Sequence, residues 1–132
     1  MKKIYLIIFV LMTVLLSACG SNTWVLEKDR LDEVESVKNY VEQLQNDNTD
    51  FRGFKVFTIS EGRKMVVVSS GTNNQTIKFK EADVSNNSTT ITVEEESVAT
   101  EEKNSYILIG IDEIKGEFSV VNEGGEKYKE FE

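Results

Sequence analysis

The chain has 132 residues, a formal net charge of −8, one cysteine, and neither histidine nor proline. A lone cysteine excludes an internal disulfide framework, and the missing histidine excludes Ser-His-Asp and Cys-His nucleophilic systems and the usual zinc ligand sets. The acidic balance excludes a nucleic-acid partner, whose binding needs clustered Lys and Arg to displace counterions. At the start of the chain, Lys2 and Lys3 precede an apolar block, Ile4 to Leu16, interrupted only by Thr13, and small residues Ser17 and Ala18 lead to Cys19. A charged start, a short apolar middle and small residues before a cut describe an export signal. The block would make roughly 20 Å of helix at ~1.5 Å per residue, short of the ~20 residues of a permanent span.

The tetrapeptide Leu16-Ser17-Ala18-Cys19 resembles the lipobox of bacterial lipoproteins. In that family the cysteine sulfur receives a diacylglyceryl group and a peptidase cuts just before it. The resemblance implies that residues 1–18 are a signal peptide recognised through Leu16, Ser17 and Ala18, with Cys19 as the site of lipid attachment. Loss of Lys2 and Lys3 with the signal takes the net charge from −8 to −10. A domain so acidic is repelled by an anionic membrane surface, so the acyl chains must hold it there. Each buried CH₂ contributes about 0.8 kcal/mol, and two chains suffice. The expected location is the extracytoplasmic face of the cell membrane, with the membrane itself as a partner through Cys19.

Residues 19–26 then read as lipidated cysteine and tether, and residues 27–132 as a single α+β domain, large enough to bury a core unaided. Trp24 is expected to pack on the first helix or the sheet in preference to sitting among lipid headgroups. Over residues 27–46, Leu31, Val34, Val37, Val41 and Leu44 recur at the spacing of a helix with one face on a core. Asp29 is the expected N-cap, and Asn46-Asp47-Asn48-Thr49-Asp50 the stop. As an EF-hand loop, that acidic run would carry Phe51 where glycine is needed and Phe57 where glutamate is needed, so no metal site is read there.

From Phe51 onward β-branched residues dominate. Strands are expected at Phe54–Ile59, Lys64–Ser70, Thr76–Val84, Thr89–Ser97, Ser105–Ile111, Glu117–Val121 and Lys127–Phe131, separated by Gly- and Asn-rich turns. Ile77/Phe79 and Ile91/Val93 alternate with polar residues, which predicts one wet face. Met65–Val68 and Tyr106–Ile109 are continuous apolar runs and predict central strands covered on both sides. Short connections favour antiparallel neighbours. The simplest architecture is one N-terminal amphipathic helix on a twisted antiparallel sheet of about six strands, or a partly closed barrel.

Candidate chemistry is sparse. A Ser/Lys dyad would draw on Ser69 or Ser70 with Lys64 or Lys78 and would need a buried lysine. A carboxylate pair could be drawn from any of twenty-three acids, so neither pattern assigns a catalytic residue, and no metal or cofactor is expected. Thr90, Thr92, Glu94 and Glu96 fall on one strand face and form a candidate partner surface able to steer a basic patch. Met65–Gly71, Thr76–Val84 and Ile91–Glu95 resemble the β-hairpin core of PrcB-like domains of small bacterial secreted proteins, a family named for association with a surface protease. This chain has Asn73-Asn74-Gln75 where that family has Gly-Gly-Tyr. Asn104 to Tyr128 is similar to small uncharacterised lipoproteins of low-GC Gram-positive bacteria. The function expected is a non-catalytic protein-binding or accessory module of the cell envelope. The alternatives are a small-ligand carrier with a pocket between helix and sheet, or a Ser/Lys or carboxylate enzyme.

Overall fold

The computed structural model describes residues 23–26, 28, 34–60 and 63–131. Its elements are strand β1 (Thr23–Val25), helix α1 (Glu35–Asn46) and strands β2 (Arg52–Ser60), β3 (Arg63–Ser70), β4 (Thr76–Val84), β5 (Ser88–Glu96), β6 (Tyr106–Ile111), β7 (Glu117–Asn122) and β8 (Lys129–Glu130). The class is α+β, mostly β. The expected single sheet is corrected to two, of five strands in the order β1-β6-β3-β2-β8 and three in the order β4-β5-β7, and the described strands close no barrel. The signal-peptide and lipobox residues, with Leu31 and Asp29, lie outside the described residues.

The five-stranded sheet is the middle layer. Val66 and Val68 of β3 and Ile107, Ile109 and Ile111 of β6 face the three-stranded sheet, where they meet Ile77, Ile91, Val93 and Val120. Met65, Val67, Tyr106 and Leu108, at the intervening positions, face α1 and meet Val37, Tyr40, Val41 and Leu44. This is why β3 and β6 are continuous apolar runs: successive side chains point to opposite faces, and both faces are covered. The i, i+3, i+4, i+7 spacing of the four helix residues builds the matching stripe. The helix is shorter than expected, because Val34 is extended (φ −129°, ψ 97°) and so cannot lie inside a longer helix. It ends where Asp47 and Asn48 donate to the Gln43 carbonyl, both at 2.8 Å.

Antiparallel pairing joins β1 to β6, β2 to β3, β3 to β6 and β4 to β5. Two further pairs, β5 with β7 and β2 with β8, are parallel. The expectation failed there because the chain leaves the small sheet after β5, builds β6 in the large sheet, and returns as β7. That excursion is long enough for a parallel return. In β4 the alternation breaks at a bulge between Phe79 and Glu81, so Ile77 and Phe79 point inward before it and Ala82 and Val84 after it.

Strand β1 falls within the segment read as tether and was not expected from pattern, since three residues carry no period. Trp24 pairs with Gly110, and its indole lies where a side chain at 110 would be: a Cβ there would stand 2.1 Å from Cε2. Trp24 therefore packs on the sheet. The buried Asn104 carboxamide fastens the upper end of the layers, donating to the carbonyls of Asn48 (3.0 Å) and Phe51 (2.9 Å) and accepting from Gly71 N–H (2.8 Å).

Gly110→Ala is expected to displace the indole, shifting the emission of the protein's single tryptophan to the red and costing about 1–3 kcal/mol of stability. Unchanged emission and an unchanged denaturation midpoint would contradict this packing. Val66→Asp and Val67→Asp point into different cores, and each should cost several kcal/mol in urea titration. The exposed Asn39→Asp should stay within about 0.5 kcal/mol.

Candidate functional site

The outer stripe of β5 forms as its alternation implies. Thr89, Ile91 and Val93 are buried, whereas Thr90, Thr92, Glu94 and Glu96 share the opposite, half-buried face of the small sheet's middle strand. Thr90 Oγ1 lies 3.3 Å from Ser119 Oγ, and Lys78 Nζ lies 3.1 Å from Glu96. The four residues are brought together, but on a flat surface with one carboxylate already paired. The serines considered for a dyad are engaged elsewhere. Ser69 Oγ donates to the carbonyls of Phe51 (2.8 Å) and Gly53 (3.3 Å), and Ser70 Oγ to that of Thr72 (2.8 Å). Lys64 donates to Thr58 Oγ1 at 2.8 Å, so neither lysine meets either serine.

A concave feature lies at the open edge of the two stacked sheets. There Val25 and Leu26 of the first strand region, Thr76 to Phe79 of β4, and Tyr106 to Leu108 of β6 surround a cleft of about 490 Å³. It exists because β1 is too short to cover β6. Its register ends at Val25 opposite Ile109, with one further bond from Leu26 N–H to the Leu108 carbonyl (3.0 Å). On the facing sheet β4 is an edge strand. The floor is aliphatic and aromatic, and the rim is charged. Lys28 Nζ pairs with Glu102 at 2.6 Å and stands 4.3 Å from the Tyr106 ring centre, while Lys78 pairs with Glu96. Burial, with the Glu102 charge beside it, pushes the Tyr106 phenol up to about 12, so it remains a neutral hydrogen-bond donor at physiological pH. Val25 is 49% exposed, unusual for a large apolar residue here. No residue of α1 lines this cleft, so it does not lie between helix and sheet, where a pocket was expected.

Sequence reasoning also missed Glu95, passing over it for its neighbours. Alternation alone turns it inward, and it accepts from Arg52 of β2, from Tyr128 and, at 3.4 Å, from Asn122 of β7. Arg52 further contacts Glu126 (3.2 Å) and lies 4.4 Å from the Tyr128 ring centre. Burial opposes the charge on Glu95, but the hydrogen bonds from Tyr128 and Arg52 and the guanidinium charge outweigh it and hold the carboxyl below its usual range. Tyr128 is pushed up by burial and by its bond to Glu95. The cluster ties the two sheets together near one end. It is a lock, with the Glu95 carboxylate as the shared acceptor.

Comparison with known proteins finds similarity to the "Uncharacterized protein YycS" of Bacillus subtilis (strain 168), 43% identical over 130 residues that cover 93% of this chain and 91% of the relative. No family model matches the chain, and no solved structure does.

A carboxyl held low in the folded state adds stability that is present above its unfolded pKa, near 4.3, and is lost as pH falls through the folded value. Glu95→Gln should therefore lower stability at pH 7 by about 1–3 kcal/mol. The gap to wild type should narrow as pH drops below about 4. Urea titrations at pH 7 and at acid pH measure both, and a gap independent of pH would show that Glu95 does not act through its charge.

Proposed function

Because the chain belongs to the family of the Bacillus subtilis protein YycS, whose name carries no activity, we propose a function from its own residues: a lipid-anchored, non-catalytic module of the cell envelope that binds an extended segment of another envelope protein in the cleft between β4 and β6. The observation that carries this reading is the cleft itself. It has an apolar floor, a rim of charged pairs, and an edge strand along one wall. An apolar centre within a polar rim is the anatomy of a protein interface, and an edge strand offers unpaired N–H and C=O groups to a peptide laid alongside it. The bulge in β4 begins only after Phe79, which leaves Thr76 to Phe79 straight enough to pair.

The anchoring half of the proposal rests on Leu16-Ser17-Ala18-Cys19. Cys19 precedes Val25 by six residues, so a fully extended tether spans at most about 21 Å. A cleft lined by Val25 and Leu26 would then work close above the membrane, within reach of other proteins' membrane-proximal segments. Among the described residues no helix is long and apolar enough to cross a membrane. The volume of about 490 Å³ also suits a small apolar molecule, which supports a second reading as a ligand carrier.

Cys19→Ser should abolish metabolic labelling with a fatty acid and release the protein from membranes. Retention of a mature-sized, detergent-partitioning mutant would remove the lipid anchor from the proposal. A photocrosslinking amino acid at Val25 should yield a discrete protein adduct in native membranes, and one at Glu117, on the far strand β7, should not. Equal adducts at both positions, or none, would count against the cleft. A small molecule retained by wild type in native mass spectrometry, and lost in Leu26→Asp, would favour the carrier.

A further inference from the structure

On the helix side of the large sheet, at the edge remote from the cleft, an ammonium group sits among rings. Lys55 lies on the β2 face turned to α1, two residues before Phe57 on the same face. Its Nζ is 5.4 Å from the ring centre of Tyr40, 5.3 Å from that of Phe57 and 5.2 Å from that of Phe131. Each ring comes from a different element: Tyr40 from α1, Phe57 from β2, and Phe131 from the segment after β8, held by its N–H to the Phe54 carbonyl (2.8 Å). The rings brace one another at steep angles. Tyr40 and Phe57 are 5.5 Å apart at 58°, Tyr40 and Phe131 5.1 Å at 74°, and Phe51 backs Phe131 at 5.2 Å and 83°. Non-parallel faces converging on one point make a cation seat, since each ring presents its negative face to the same charge.

The occupant suits this seat imperfectly. A lysine ammonium carries three N–H donors, yet among the described residues Lys55 has neither a carboxylate partner nor a hydrogen-bond acceptor; its neighbours there are the rings. The Tyr40 hydroxyl is buried and likewise has no hydrogen-bond partner. Rings satisfy charge but not donors. A cation without N–H groups loses nothing there, and it sheds its hydration more cheaply than a primary ammonium. Lys55 is only half-buried, and its flexible stem can carry the ammonium out to solvent.

We propose that Tyr40, Phe57 and Phe131 form a binding site for a quaternary ammonium group of the choline type, with Lys55 as its displaceable internal occupant. The test titrates the purified full chain with choline chloride, following ring-proton shifts by NMR. The neutral isostere 3,3-dimethylbutan-1-ol and the primary amine ethanolamine serve as comparators. Choline should bind wild type at least about tenfold more tightly than either. Lys55→Met, which removes the competing ammonium without removing a ring, should tighten choline binding about fivefold or more, and Phe57→Leu should weaken it by a similar factor. Dihexanoyl-phosphatidylcholine below its micellar concentration separates the sources: tighter binding than choline assigns a lipid headgroup, and equal or weaker binding a soluble solute. Equal affinity for the isostere would overturn the proposal, as would a Lys55→Met affinity no higher than wild type. Choline binding confined to Lys55→Met would make Lys55 a permanent structural plug and would also overturn it.

Discussion

Everything in this fold depends on burying both faces of β3 and β6. Neither the helix nor the three-stranded sheet could stand alone: one is a twelve-residue amphipathic helix, short for independent stability, and the other is a small sheet wet on one side. Each is stabilised by the same two strands, which offer Met65, Val67, Tyr106 and Leu108 to one layer and Val66, Val68, Ile107 and Ile109 to the other. The three layers are therefore coupled through a shared middle, and a polar substitution in β3 reaches whichever layer its parity selects.

Polar interactions set the order of those layers more than they glue them. Asn104 joins the end of α1, the turn after β3 and the approach to β6, using main-chain groups that would otherwise be buried without partners. Glu95 joins β2, β5, β7 and the Tyr128 segment around one carboxylate. These two groups sit where strands change sheets, so they fix the crossings that apolar contact alone would leave loosely specified. Burying a charge such as Glu95 is costly unless it is paired, and here Arg52, Tyr128 and Asn122 all donate to its Oε1.

The two edges of the large sheet are finished differently. At one, β1 stops short and leaves an apolar cleft facing β4. At the other, β8 covers β2 only at Gly53 and Phe54, and Lys55 with its surrounding rings occupies the space beyond. A charged residue set into an edge discourages indiscriminate strand pairing; on the facing edge of the small sheet the corresponding charge, Lys78, is paired with Glu96.

Much of the secondary structure was legible in local pattern. Alternation at Ile91 and Val93 located β5 and its wet face, the four-residue apolar runs located the doubly covered strands, and the spacing of Val37, Val41 and Leu44 located the helix. Each depends on side-chain direction along a single element, which period alone determines. Tertiary structure decided the rest: that β5 and β7 run parallel, that Thr23–Val25 is a strand, that the cavity lies between sheet edges, and that Glu95, Tyr40, Phe57, Lys55 and Phe131 have the neighbours they do. These features join residues far apart in the chain, and no local period records which distant strand a segment pairs with, because backbone hydrogen bonds are the same for every sequence and partner choice follows from how whole faces are buried.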